Sequence, residues 1–231
     1  MANKKHQEVL DVNETLNKSE AFFIKNKKAI LAAVIIIAAI VLGIFAYKAY
    51  SGPREEKAST ALARGQEFFE QEQFDKALNG DGANYGGFVK IASDYSSTDA
   101  GNLANLYAGL CYANLGKWEE AVKYLDKFKT SGDAMVSPAA VAALGNAYAH
   151  VNQIDKAVNT LLKAADMADK KGDEGVNNSI APTFRLQAAI LLESQDKKEE
   201  ALKIYQGIKE KYVNSALVQS QEIDKYISRL K

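Results

Sequence analysis

Nineteen consecutive residues, Ala29 to Tyr47 (AILAAVIIIAAIVLGIFAY), contain no charge, amide or proline, and no other stretch narrows the chain's options as far. As a helix rising about 1.5 Å per residue, the run reaches about 28 Å, close to the roughly 30 Å hydrocarbon core of a bilayer. Val34, Ile35, Ile36, Ile37, Ile40 and Val41 are weak helix formers in water. In lipid, any other spanning conformation leaves backbone hydrogen bonds unmet at far greater cost, so a helix is expected. A buried core helix and a cleaved signal peptide are the competing readings. The polar residues 1–28 in front of the run, its length, and the lack of a small-x-small site over Tyr47 to Gly52 favour an uncleaved anchor.

Lysines nearest the span set its expected direction. Lys25, Lys27 and Lys28 crowd one edge and Lys48 stands alone at the other, which places the N-terminus inside. The expected organisation is a cytoplasmic segment over 1–28, a transmembrane helix over 29–50, a linker over 51–57 and a domain over 58–231. In a Gram-negative inner membrane that domain lies in the periplasm. Val9, Val12, Leu16 and Phe23 give the first segment a partial apolar stripe, consistent either with a loosely ordered tail or with a short interfacial helix.

Charge is balanced, with 29 Lys and Arg against 29 Asp and Glu, so no field favours nucleic acid. The single cysteine, Cys111, cannot close an intrachain disulfide, and the domain must hold by packing. After the span, Ser51-Gly52-Pro53 is expected to break the helix. From Arg54 onward apolar residues recur at threes and fours with hardly any period-two alternation, so the class is all-α.

The strongest signal in this part is a repeat. Gly65, Phe68 and Ala77 have the same spacing as Gly109, Tyr112 and Ala121, as Gly145, Tyr148 and Ala157, and as Ala189, Leu192 and Ala201. A small and a large residue share one helix face, and a second small residue follows a turn, the pattern of a closely packed helix hairpin. These residues resemble the tetratricopeptide repeat. Over about Ala58 to Ile208 the resemblance implies an α-solenoid of about four helix pairs with a C-terminal capping helix.

Between pairs the sequence carries turn chemistry. Asn79 to Gly87 reads as a loop; it lacks the EF-hand ligand pattern and any Gly-Lys-Ser/Thr phosphate cradle, so its role is expected to be structural. Ser137-Pro138 reads as an N-cap followed by N1, and Thr98 and Ser215 as capping hydroxyls three residues after Tyr95 and Tyr212. Asp169 to Asn178 reads as a turn or short insertion. A last helix, Ala216 to Leu230, is expected to cap the solenoid with Val218, Ile223, Ile227 and Leu230.

No catalytic constellation emerges, and the chain is not expected to be an enzyme. His6 and His150 are the only histidines and fall on opposite sides of the span. Cys111 has no Lys, Arg or His within four residues and reads as an inert buried thiol. No metal, cofactor or small-molecule site is expected.

What remains is surface. The tetratricopeptide resemblance implies an inner face formed by the first helix of each pair. The matching positions are Leu62, Gln66 and Phe69; Leu103, Leu106, Leu110 and Asn114; Asn146, Ala149 and His150; and Leu186, Ile190 and Ser194. Such a face could hold a peptide or a partner helix. Equally, other helices could cover its leucines and simply complete the core.

The lysine-flanked span and the repeat domain, with Asp94-Tyr95-x-x-Thr98-x-Ala100 leading into Leu103-Ala104, and Arg185-x-x-x-Ala189, resemble one family. It is the bacterial inner-membrane tetratricopeptide proteins that are ancillary subunits of the Sec translocon. The resemblance implies a protein-binding module whose partners are translocon subunits, periplasmic chaperones and emerging client chains. A scaffold for another envelope assembly, in cell division or outer-membrane biogenesis, and a self-associating anchor would share every feature named.

Overall fold

The computed structural model describes residues 12–230, with side chains from Phe22 onward. His6 and Val9 lie outside the described residues, as does the side chain of Leu16. The chain divides into two compact units, Met1–Pro53 and Arg54–Lys231.

In the first unit the described backbone is a single helix, α1 (Val12–Glu70), which continues into the second unit. Every side chain from Leu31 to Tyr50 is exposed, and this part of α1 is long and apolar enough to cross a membrane. The expected break at Ser51-Gly52-Pro53 does not occur, and residues 51–57, read above as a linker, are helical. Gly52 has a negative φ and open space where a Cβ would lie, so nothing there requires a glycine turn. Pro53 removes one ladder hydrogen bond. The residues after it are fixed from outside the helix: the Arg54 guanidinium donates to the Asp94 carbonyl (2.6 Å), and Glu55 accepts from the Asp99 and Ala100 amides (2.8 and 2.9 Å).

The second unit is a stack of antiparallel helix pairs. The last four turns of α1 pair with α2 (Phe74–Asn79) and α3 (Phe88–Asp94). Next come α4 (Asp99–Asn114) with α5 (Trp118–Leu125), then α6 (Val136–His150) with α7 (Ile154–Asp169). The fourth pair is α8 (Ala181–Ser194) with α9 (Lys198–Lys211), followed by α10 (Ala216–Gln219) and α11 (Glu222–Ser228). Each helix packs chiefly on its neighbours in sequence, the contact pattern of an α-solenoid.

The repeat signature has two structural causes. A Cβ on Gly109 would lie 2.6 Å from Leu125 Cγ, and one on Gly145 would lie 2.8 Å from Leu161 Cγ, so the two helices of a pair meet where the side chain is missing. The large residue three positions later closes the turn. Its carbonyl accepts the amide that follows a left-handed residue: Gln73 to Phe68, Lys117 to Tyr112, Gln153 to Tyr148 and Lys197 to Leu192, at 2.8–3.0 Å. The left-handed residues are Glu72, Gly116, Asn152 and Asp196, a helix-ending geometry repeated four times.

The connectors follow the sequence in part. Asn79, expected in the loop, is the last residue of α2; Gly80 to Gly87 form the loop, in which Asp81 accepts from the Ala83 and Tyr85 amides and Tyr85 is turned inward to donate to the Ala77 carbonyl (2.6 Å). Thr98 caps α4 by accepting from the Gly101 amide. Ser137 is not the cap of α6. That helix starts at Val136, and the Asp133 carboxylate receives the Met135, Val136 and Ser137 amides. A carboxylate one turn upstream reaches three amides at once, while Ser137 itself lies inside the first turn and donates its hydroxyl to Asp133. Ser215 precedes α10, but its buried hydroxyl makes no capping bond.

The final helix is two. Gln221 adopts a left-handed φ of 59°, and the turn before it closes through the Gln221 amide on the Val218 carbonyl. The bend seats Ile223 and Ile227 in the core of the last pair, with Val218 and Leu230 packed against them.

Candidate protein-interaction surface

The first helices of the second, third and fourth pairs are almost free of charge, whereas the part of α1 that opens the first pair carries Arg54, Glu55, Glu56, Lys57, Arg64, Glu67 and Glu70. Helix α4 carries only Asp99, α6 has no charged residue before His150, and α8 holds Arg185 and Glu193. The second helices hold the charges: seven of the 14 residues of α9 are Lys or Glu.

Even the two charges on α8 are neutralised locally. Arg185 donates to Tyr212 Oη (2.6 Å), Asp166 (2.6 Å) and Asp169 (3.2 Å). Asp169, 5% exposed, also accepts from Tyr212 Oη (2.6 Å), Lys211 (2.6 Å) and the Asn177 amide (3.0 Å). Burial alone would raise the Asp169 carboxyl pKa, but the bonds from Lys211, Tyr212, Asn177 and Arg185 hold it below the ordinary value. Desolvation and the adjacent carboxylate push the Tyr212 phenol upward, so the hydroxyl keeps its proton and remains a donor. Glu193 accepts from Arg229 (2.6 Å) and Tyr205 (2.8 Å), which closes α8 onto α9 and α11.

The positions read from sequence as an inner face separate into two groups. Leu62, Leu106 and Leu186 are buried, at 6, 7 and 8% exposure, and Leu103, Leu110 and Phe69 pack against the same cores. These leucines complete the core. Phe69 lies edge-on to Phe74 and Tyr107, and Gln66 donates to the Tyr107 hydroxyl (2.7 Å). Partly or fully accessible are Asn114, Asn146, Ala149, His150, Ile190 and Ser194. Ile190, at 40% exposure, is the large apolar side chain of this group that reaches solvent most.

His150 has a partner that spacing did not reveal. Its imidazole lies flat on the Trp118 indole, with ring centroids 3.6 Å apart and planes 1° from parallel. The pair joins the start of α5 to the end of α6, so it bridges two successive repeats. Nothing in the α4–α5 spacing marks Trp118 as a contact of α6, although it is the single tryptophan of the chain.

Cys111 is fully buried, and desolvation pushes its thiol up to about 12, so no reactive thiolate forms. Among the described residues no group of three His, Cys, Asp or Glu could hold a metal ion.

Comparison with known proteins decides the family. The profile described as a tetratricopeptide repeat-like domain matches residues 20–173, and a second, described as a tetratricopeptide repeat, matches residues 185–215. The chain belongs to the tetratricopeptide repeat-like domain family. Two solved structures of nearly identical tetratricopeptide-like repeats, described as a kinesin light chain from Podosopora anserina and differing by a point substitution, share its fold. Each superposes with a TM-score of 0.53 at 12% identity and covers 76% of this chain; 93 and 94% of their own lengths are matched. No curated protein matches the chain. Tetratricopeptide repeat-like domains are protein-interaction scaffolds rather than catalytic folds, which agrees with a surface whose distinguishing features are amides, small side chains and a π-stack.

Proposed function

We propose that this protein is a single-pass anchored, non-enzymatic interaction module, and that its repeat domain binds uncharged polypeptide segments along the first helices of the second, third and fourth pairs. The observation that carries the reading is the partition of charge. A surface offering Asn114, Asn146, Ile190 and Ser194, with Arg185 and Glu193 already engaged, suits a partner through shape, amide hydrogen bonds and apolar contact, not through ion pairing. Binding should therefore weaken little between low and physiological salt.

The apolar, fully exposed part of α1 supports anchoring, and Lys25, Lys27 and Lys28 support an N-terminus inside with the repeats across the inner membrane in the periplasm. In that setting the resemblance to ancillary translocon subunits gives the biological role: the anchor concentrates the domain beside emerging chains and their chaperones, where weak contacts suffice. Two measurements test this reading. A photocrosslinker at Leu42 in intact membranes should capture translocon subunits; recovery only of division or outer-membrane assembly proteins would replace the role with that of another envelope scaffold. Purified protein should delay aggregation of an unfolded client, and Ile190→Asp with Asn146→Asp should reduce the effect several-fold while leaving helicity unchanged. Equal protection by the folded double variant would remove the binding face.

A further inference from the structure

Outside residues 22–50, four large hydrophobic side chains among the described residues are strongly exposed: Met135 (56%), Val213 (52%), Val136 (47%) and Ile190 (40%). Three of the four share one edge of the solenoid. In a stack of antiparallel pairs the first helices run in parallel, so the starts of α4, α6 and α8 and the connectors leading into them lie on the edge that also holds Arg54. Hydrogen bonds confirm the alignment link by link. Arg54 and Glu55 hold the Asp94 to Ala100 connector, and Asn102 exchanges two bonds with the backbone of Lys129 (2.7 and 2.8 Å). Arg185 joins the start of α8 to Asp169 and Tyr212. Met135 and Val136 stand on the second connector and Val213 on the last.

The Met135-Val136 tip is also preorganised. Asp133 receives the amides of both residues, so two adjacent apolar side chains are held outward on a fixed turn. Charges along this edge nearly cancel: Lys127, Lys129, Lys170 and Lys171 alternate with Asp126, Asp173 and Glu174, while Asp133 and Asp169 are bonded internally. An edge with apolar tips and no strong field matches the interfacial zone of a lipid bilayer through the apolar area it can bury there, not through attraction to anionic headgroups. In sequence, Lys48 to Pro53 lie between the apolar run and Arg54.

We propose that the connector edge carrying Met135, Val136 and Val213 is a lipid-contacting surface, which rests the domain on the bilayer and leaves the opposite edge, with the turns at Gly116, Asn152 and Asp196, directed away from it. The proposal rests on the anchored reading above. Trp118 is the only native tryptophan, so a Trp118→Phe background permits single-tryptophan probes in the full-length protein. Met135→Trp, Val213→Trp, Gln153→Trp and Leu42→Trp are reconstituted separately in phosphatidylcholine vesicles containing brominated lipid. Quenching at 135 and 213 should exceed that at 153 several-fold and persist in zwitterionic lipid. Quenching at 135 and 213 no greater than at 153, with strong quenching at 42, would overturn this inference and leave the anchor intact. Absence of quenching at 42 would overturn the anchor itself, and the lipid-facing edge with it.

Discussion

The phenol of Tyr212 donates to the carboxylate of Asp169 across 43 residues of chain, at 2.6 Å, and the same carboxylate oxygen takes the Lys211 ammonium. This links the end of α7 to the end of α9, with Arg185 of α8 wedged between them. Removing the phenol hydroxyl in Tyr212→Phe should cost roughly 1.5–3 kcal/mol, the usual loss for a hydrogen bond to a charged group. Asp169→Asn should cost more, roughly 3 kcal/mol, because Arg185 and Lys211 lose their counter-charge while keeping some access to water. Urea unfolding at neutral pH measures both.

Acid should act through the same carboxylate. The folded Asp169 pKa lies below the ordinary 3.8, so its contribution is complete above that value and fades as pH falls towards the folded one. Wild-type stability should therefore drop on acidification below about pH 4, and Asp169→Asn should show a shallower acid limb. A stability-against-pH series on both proteins makes the comparison; parallel curves would contradict the assignment.

Trp118 and His150 provide a built-in reporter. The imidazole covers one face of the indole, so His150→Ala should open Trp118 to water and move its emission to longer wavelength. Steady-state fluorescence on the two proteins suffices, with circular dichroism to show that the fold is retained.

The close approach at Gly109 sets a limit on that position. A valine there meets both the Leu125 side chain and its backbone nitrogen, 3.0 Å from the Cβ position, so Gly109→Val should destabilise by about 1–3 kcal/mol. At the matching position of the fourth pair Ala189 is accommodated with no exposure, so Ala189→Gly should have a smaller effect. Thermal unfolding of the two variants ranks them.

Asp133 carries the start of α6 alone. Asp133→Ala should cost roughly 1–2 kcal/mol, as loss of a helix cap does, and should speed hydrogen exchange at Met135, Val136 and Ser137 before it affects the rest of the domain.

The repeat was legible because its causes are local and recur: a missing side chain where two helices meet, and a turn closed by the carbonyl of the next large residue. The loop, one residue shorter than its composition implied at Gly80 to Gly87, and the Thr98 cap were legible for the same reason. The continuity of α1 through Pro53 was not, because the restraint comes from Asp94 and Asp99, some forty residues away. Nor was the cap on α6: Ser137-Pro138 has the composition of a helix start, but Asp133 has the reach. Spacing located the first-helix positions without their depth, so Leu62, Leu106 and Leu186 could be read equally as binding or as core. Arg185 stood out only as part of a motif; its partners Asp169, Lys211 and Tyr212 meet through tertiary packing that no local pattern encodes.

Glu55 and Arg54 have a mechanical consequence. They are the first two residues of the repeat unit, and each is already bonded to the junction between the first and second pairs, at Asp94, Asp99 and Ala100. A force applied at Arg54 and Glu55 would reach the start of α4 directly, through the Asp99 and Ala100 amides that Glu55 receives. A version of the repeat unit that begins after Glu55 would lose that clamp.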